Sequence, residues 1–143
     1  MANEVSIPNL VAEHTGTNTY TVRSMGGAEL KIGAPGAEGV FTPVELLQAA
    51  IAGCASLSAE AQLASQLGPD FDAAVTVAAD YNAEENRVEK LITQLSVDMS
   101  ELDSEQRDKL VDRADRLIDK LCTVKRSLGN GVAATTEVQG KDS

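Results

Sequence analysis

Cys54 and Cys122 are the two cysteines of this chain, and their thiols offer the clearest starting point for covalent chemistry. A thiolate is a nucleophile and can be oxidised reversibly, whereas a buried free cysteine behaves as a small apolar residue. Both cysteines lie in apolar stretches, which raise the pKa of a thiol and favour the inert interpretation. A reactive Cys54 would need a nearby cation to hold it as the thiolate. Both interpretations stay open at this point.

No basic residue lies in the helical segment around Cys54, so an activating cation has to come from elsewhere. Arg23, on a predicted strand ahead of this segment, is the first choice. Glu45 is a candidate partner for that cation, but it lies nine residues from Cys54, about half a rotation around a helix, and so points away from the thiol. Glu45 also fits a structural role at the start of the helix. The other candidate cations are Arg87, Lys120, Lys125 and Arg126.

The stretch FTPVELLQAAIAGC, residues 41–54, predicts the start of a long helix. Thr42 is a good N-cap, Pro43 suits the first helical position, and Glu45 completes a capping box. We expect this helix to end near Leu67, where Gly-Pro-Asp follows. It is apolar nearly all round as far as Ala55, which predicts a central helix covered on all sides. One chain offers little to cover it, so we infer a homodimer.

A second helix is predicted for EQRDKLVDRADRLIDKLC, capped by Asp103 or Ser104. Cys122 falls at one edge of its apolar stripe. Each long helix therefore presents one thiol inward, and a facing pair of thiols is geometrically possible. The stripe consists of Leu110, Ala114, Leu117, Ile118 and Leu121.

The remaining segments favour strands. TYTVR (19–23) and AELKIG (28–33) predict one hairpin, and residues 73–81 and 88–99 predict a second. In that second hairpin, one face is expected to carry Val75, Val77, Ala79 and Tyr81. VAATTEV (132–138) predicts a last strand, giving the order β-β-α-β-β-α-β in one α+β domain over residues 1–143. His14, outside these elements, is expected to be a solvated surface residue.

Composition excludes several classes of function. Hydrophobic residues make up 43% of the 143 residues, enough for a core, and the formal net charge is −10. Such a surface repels phosphate backbones and anionic membranes, so we expect neither nucleic acid nor membrane as partner. No metal-ligand spacing is present, and we expect no metal and no cofactor. MANEVSIPNLV lacks the pattern of a secretion signal, which favours the cytoplasm, where thiols stay reduced.

FTPVELLQAAIAGC resembles the central-helix motif of the OsmC/Ohr family (osmotically inducible protein C and organic hydroperoxide resistance protein). In that motif Pro-x-Glu-Leu or Pro-Glu-x-Leu leads into Ala-Ala-x-x-x-Gly/Ala-Cys. DKLCTVKRSL is similar to the segment around the family's second cysteine. The order of elements and the cysteine spacing agree over nearly the whole chain.

The resemblance implies an α+β fold in which two chains intertwine, with two sheets around two long central helices and active sites at the subunit interface. It also implies a chemistry. The Cys54 thiolate attacks an organic hydroperoxide and becomes a sulfenic acid, and Cys122 condenses with it to a disulfide. A dithiol, such as a lipoylated protein, then reduces that disulfide.

This chain departs from the characterised peroxidases at two positions. They carry a glutamate directly after the proline, where this chain has Val44, with Glu45 one place later. They also carry an arginine in the first hairpin, whose place falls near 17–19 here, and Arg23 is displaced from it. The chain is more similar to a broader branch with the Pro-x-Glu-Leu-Leu form. The alternative function is therefore a non-catalytic protein that binds a small apolar ligand at the dimer interface.

Overall fold

A computed structural model describes residues 7–142, so the first six residues of the segment considered as a secretion signal lie outside it. Within the described residues, three helices and two small antiparallel sheets confirm the α+β class. The chain divides into two compact units, Met1–Leu47 and Gln48–Ser143, and the single domain stays a prediction.

The helices and strands are numbered in chain order. They are β1 (Ala12–Gly16), β2 (Thr19–Arg23), β3 (Glu29–Gly33), α1 (Pro43–Leu67), β4 (Ala73–Asn82), β5 (Arg87–Val97), α2 (Ser104–Leu121) and α3 (Thr123–Asn130).

The first unit contains a sheet of order β1-β2-β3, antiparallel throughout. The hairpin of β2 and β3 is confirmed, whereas β1 was not predicted. Its sequence AEHTG has little strand propensity, and its pairing with β2 is made possible by a tight turn in which Asn18 adopts a φ of 53°. His14 lies on β1 and is exposed, as expected, with its ring edge-on to Tyr20 at a centroid distance of 5.3 Å.

The helix α1 begins and ends where the sequence predicted. The backbone N–H of Thr42 donates to Glu45 Oε1 at 2.9 Å, and the backbone N–H of Glu45 donates to Thr42 Oγ1 at 3.3 Å. This reciprocal pair is the predicted capping box. After Leu67 the chain leaves the helix at Gly68, whose φ of 95° suits glycine and whose N–H donates to the Ala64 carbonyl at 2.8 Å.

Only one face of α1 is buried in the single chain. Its buried residues recur every fourth position, at Ile51, Ala55, Ala59 and Leu63. Leu57, on another face, is 73% exposed. The described part of the chain thus leaves apolar surface of this helix uncovered. Exposure of such surface to water is unfavourable and is typical of an interaction site.

In the second unit, β4 and β5 form the second predicted hairpin. The register shifts between Asp80 and Tyr81, so that Tyr81 is 57% exposed. The expectation that Tyr81 shares the inward face with Val75 is therefore wrong, because a bulge reverses the alternation of side chains beyond it. The apolar face of β5 packs, together with other residues, on a core of Ala59, Leu63, Leu110 and Ala114.

The C-terminal part differs from the prediction in two ways. A third helix, α3, follows α2 directly, with Cys122 as the residue between them. The strand expected for VAATTEV does not form, and residues 131–142 contain no helix or strand. Strand propensity depends on a neighbouring strand to pair with, and this exposed segment has none among the described residues. The order is therefore β-β-β-α-β-β-α-α.

Candidate functional site

Cys122 occupies the junction of α2 and α3. Its backbone N–H donates to the Ile118 carbonyl at 2.9 Å, which closes α2, and its carbonyl accepts from the Arg126 N–H at 3.0 Å, which opens α3. The backbone of Cys122 is extended, with φ −72° and ψ 96°. One residue thus ends one helix and caps the next, and the first N–H groups of α3 have no acceptor within that helix.

The Cys54 thiol, partly exposed on α1, faces the N-terminus of α3. The backbone N–H of Val124 is the largest influence on this thiol and lowers the pKa of Cys54 below its ordinary value. The Cys122 side chain and the backbone N–H of Thr123 act in the same direction, whereas partial burial opposes them. The N-terminal N–H groups of a helix stabilise an anion, so this position favours the Cys54 thiolate.

The Cys122 thiol has the opposite character. It is completely buried, and this burial raises the pKa of Cys122 above its ordinary value. The backbone N–H and the charge of Lys125 oppose that effect, while the neighbouring Cys54 thiol adds to it. Both thiols are free and close enough to shift each other's ionisation. The surroundings thus lower the pKa of the Cys54 thiol and raise that of the Cys122 thiol.

The other two predicted site residues have partners of their own in the first unit. Arg23 Nε lies 3.0 Å from Glu29 Oε2, across the β2–β3 pair. Glu45 accepts the hydrogen bond that caps α1, and the backbone N–H of Thr42 lowers the pKa of the Glu45 carboxyl. The structure therefore brings together Cys54 and Cys122, and the catalytic roles of Arg23 and Glu45 stay predictions.

Sequence reasoning missed the element that faces Cys54. It looked for a cationic side chain, whereas the groups that favour the thiolate are backbone amides of Thr123 and Val124. The sequence signal for α3 was the helical spacing of Val124, Ser127 and Leu128, which precede the Gly-Asn-Gly break. The N-cap position of α3 is occupied by Cys122. Cysteine is not a usual N-cap residue, and no proline or glycine marks the start of this helix.

A cavity of about 420 Å³ lies beside Cys122, which forms part of its wall. Its wall is formed mainly by β5 and α2, and α1 contributes Ile51, Ala55 and Leu63. Thr93 Oγ1, on β5, is buried without a hydrogen-bond partner in the described structure. The charged residues in the wall are Lys90, Asp115, Asp119 and Lys125.

Within the described residues, no group of His, Cys, Asp and Glu side chains could hold a metal ion. The same residues include no helix long and apolar enough to cross a membrane.

Comparison with known families identifies the fold. A family model described as OsmC-like protein matches residues 36–137, which include both cysteines. This chain belongs to the OsmC-like family. An uncharacterised protein of Mycobacterium tuberculosis is 34% identical over 129 residues, which cover 90% of this chain and 94% of the relative.

Solved structures show the same OsmC-like fold at low sequence identity. A hypothetical protein from Aquifex aeolicus is 17% identical, with a TM-score of 0.67 over 88% of this chain and 89% of its own. The organic hydroperoxide resistance protein OhrB of Bacillus subtilis is 21% identical, with a TM-score of 0.53 over 87% and 94%. An organic hydroperoxide resistance protein from Legionella pneumophila is 20% identical, with a TM-score of 0.55 over 85% and 90%.

Proposed function

We propose that this OsmC-like protein is a thiol-dependent peroxidase that reduces organic hydroperoxides. The observation that carries the proposal is the placement of Cys54 against the N-terminus of α3 beside the buried Cys122 thiol. A peroxidase of this kind needs one thiolate to attack the peroxide and a second thiol to resolve the product. The names of the Bacillus and Legionella structures, which refer to hydroperoxide resistance, support the same substrate class.

In the proposed reaction, the Cys54 thiolate attacks the terminal oxygen of the hydroperoxide. The O–O bond breaks, the alcohol leaves after taking a proton, and Cys54 becomes a sulfenic acid. The Cys122 sulfur then attacks the Cys54 sulfur, water leaves, and a Cys54–Cys122 disulfide remains. The N–H groups of Thr123 and Val124 hold the attacking thiolate, and a dithiol such as a lipoylated protein restores the two thiols.

The test is turnover of cumene hydroperoxide with dithiothreitol or a lipoyl reductant. We expect Cys54→Ser to abolish turnover. In the absence of any thiol reductant, Cys122→Ser should still consume one equivalent of hydroperoxide and stop as the sulfenic acid, which dimedone labels. Equal rates for the wild-type protein and Cys54→Ser would refute the peroxidase.

The second candidate is a non-catalytic protein that binds a small apolar ligand. The cavity beside Cys122 favours it, since its volume falls within the range of small-molecule sites. The thiol pKa of Cys54 separates the two candidates. A value below that of ordinary cysteine, about 8.5, favours the enzyme, and a raised value favours the binding protein.

We also propose a homodimer, located in the cytoplasm. Leu57 of α1 is 73% exposed and Leu121 of α2 is 50% exposed, and a second chain would cover such surface. Light scattering after size exclusion should give twice the 15.0 kDa chain mass. Leu57→Glu should shift the protein toward the monomer, because a charge in an apolar interface is costly.

A further inference from the structure

A groove of about 420 Å³ lies where α2 meets α3, and we call it the α2–α3 groove. The α3 residues in its wall recur at positions i, i+3, i+4 and i+7, the spacing that places side chains on one face of a helix. Its wall therefore combines two cations with hydroxyl and amide groups, and none of the described residues adds a carboxylate to it. The wall consists of Lys120 and Leu121 of α2 and Thr123, Arg126, Ser127 and Asn130 of α3.

The α2–α3 groove is a positively charged site on an acidic protein. The chain has 22 acidic and 12 basic residues, but the segment 120–136 contains three basic residues and no acidic one. Within residues 7–142, neither Lys120 nor Arg126 belongs to an ion pair, whereas the neighbouring Lys125 is paired with Asp119. Two cations that no carboxylate compensates attract an anion to the groove.

The cavity beside Cys122 does not share this charge. Its wall contains Lys90 and Lys125 but also Asp115 and Asp119, so charges of both signs are present. Because opposite charges in one wall compensate each other, that cavity gives an anion no comparable advantage. Of the two sites, only the α2–α3 groove is built to select an anionic ligand.

We propose that the α2–α3 groove binds a small organic phosphate, a monoester whose phosphoryl group lies between Lys120 and Arg126. The site is separate from the cysteine pair in its chemistry. The inference therefore goes beyond the proposed peroxidase and does not depend on it.

The number of charges and donors in the groove favours a phosphate over a carboxylate. A phosphate monoester carries a charge of about −1.5 to −2 at pH 7 and three strong acceptor oxygens. A carboxylate has a single charge and two oxygens, so it would leave one of the two cations uncompensated. The Arg126 guanidinium can pair with two phosphate oxygens, and Lys120 supplies a point charge. The hydroxyls of Thr123 and Ser127 are donors for the remaining oxygen.

The size of the groove and the charge around it favour a small ligand. A volume of about 420 Å³ is larger than a phosphoryl group needs and falls within the range of small-molecule sites. A long polyanion would place further phosphates over the remaining surface, and a protein with a net charge of −10 repels them. An organic phosphate of the size of a substituted ring or a short chain satisfies both conditions.

The proposed homodimer leaves room for this ligand. Leu121 lies in the wall of the groove and also belongs to the apolar surface assigned to the dimer, so the groove adjoins that surface. Charged residues are depleted in the core of an interface and are found at its polar, accessible rim. Lys120 and Arg126 are both exposed in the single chain, which suits such a position.

Isothermal titration calorimetry with phenyl phosphate at fixed ionic strength tests the site. We expect one molecule per chain with a Kd below about 1 mM, and a loss of affinity of about fivefold or more in Lys120→Gln and in Arg126→Gln. Arg113→Gln is the matched control, because Arg113 is an exposed cation on α2, outside the groove and outside any ion pair among the described residues. Its affinity should equal that of the wild type. No measurable binding, or equal losses in all three variants, would overturn the proposal.

Two further probes separate the ligand classes. Benzoate has the same ring with a carboxylate and should bind about tenfold more weakly than phenyl phosphate, because it carries fewer charges and oxygens. Equal affinity for benzoate would overturn the assignment to phosphate. Inorganic phosphate should also bind more weakly, because it lacks the organic part. If it binds as tightly as phenyl phosphate, the ligand is not an organic phosphate.

Nuclear magnetic resonance locates the ligand independently of the variants. Phenyl phosphate should shift the amide signals of Lys120, Thr123 and Ser127 more than those of Lys90 and Thr93 in the wall of the other cavity. The reverse pattern would overturn the site. Binding should be unchanged in a variant that lacks the Cys54 thiol, Cys54→Ser, so failure of the phosphate site and failure of the peroxidase are read from different experiments.

Discussion

The sulfur of Cys54 on α1 faces the backbone N–H of Val124 in the first turn of α3. This relationship distinguishes the two thiols of the chain, because the amide lowers the pKa of Cys54 while burial raises the pKa of Cys122. A main-chain group of a short helix thus lowers the pKa of Cys54, an effect for which the sequence suggested a cationic side chain. It also links the chemistry of Cys54 to the position of Cys122, since Cys122 is the N-cap of that helix.

The pH dependence of alkylation should show the difference between the thiols. The folded-state pKa of Cys54 is lowered, so its thiolate is favoured above that pKa and lost as the pH falls through it. We expect iodoacetamide to modify Cys54 with a midpoint below that of free cysteine, and Cys122 only with a higher midpoint. Mass spectrometry of the two cysteine peptides measures both curves. Equal midpoints would contradict the assignment.

Val124→Pro should weaken this activation without removing any side-chain charge. Proline has no N–H and is tolerated in the first turn of a helix, where the amide has no partner within the helix. A helix N-terminus stabilises an exposed anion by about 0.3–1 kcal/mol, so alkylation of Cys54 at neutral pH should slow roughly two- to fivefold. Val124→Ala keeps the amide and is the matched control. Circular dichroism checks that α3 persists, and equal slowing in both variants would assign the effect to the side chain.

Local sequence signals predicted the elements that carry the cysteines. Thr42 and Glu45 set the start of α1, the turn at Gly68 ended it, and the helical phase directed both thiols toward one region. These features depend on residues within a few positions of each other, which is why a sequence pattern is sufficient.

Strands form only where another strand pairs with them, so a local sequence pattern did not predict them equally well. β1 forms because β2 is beside it, and 132–138 lacks a strand partner among the described residues. The break at Cys122 carries no glycine or proline signal, so α3 and the amides that face Cys54 were missed. The family resemblance supplied the pairing of the cysteines, and the structure supplied the reason for their different pKa values.

Glu45→Gln separates the structural role of Glu45 from the predicted catalytic one. Glutamine at this position can still accept the hydrogen bond from the Thr42 amide, so the capping box survives. We expect the melting temperature and hydroperoxide turnover of Glu45→Gln to match the wild-type protein, and Glu45→Ala to lower the melting temperature. Loss of turnover in Glu45→Gln with unchanged melting would instead establish a catalytic need for the carboxylate.

Leu63→Ala and Leu57→Ala, on the same helix, should have different effects. Leu63 is 1% exposed in the core, and truncation of such a residue costs about 2–5 kcal/mol of unfolding free energy. Leu57 is 73% exposed in the single chain, so its truncation should matter only through the proposed dimer. We expect the stability lost in Leu57→Ala, measured by urea unfolding, to be largest at protein concentrations where the wild type is dimeric and to vanish on dilution to the monomer. Equal losses at every concentration would contradict the dimer surface on α1.

Thr93→Val should stabilise the protein if the cavity is apolar in solution. Thr93 Oγ1 is buried without a partner in the described structure, and an unsatisfied buried polar group costs about 1–3 kcal/mol. Valine removes the hydroxyl at nearly the same size, so the free energy of unfolding should rise by about 1 kcal/mol. Thr76→Val, on the exposed face of β4 in the same hairpin, is the control and should change stability little. A loss of stability in Thr93→Val, measured by urea unfolding, would show that the hydroxyl has a polar partner in solution and that the cavity holds water or a polar ligand.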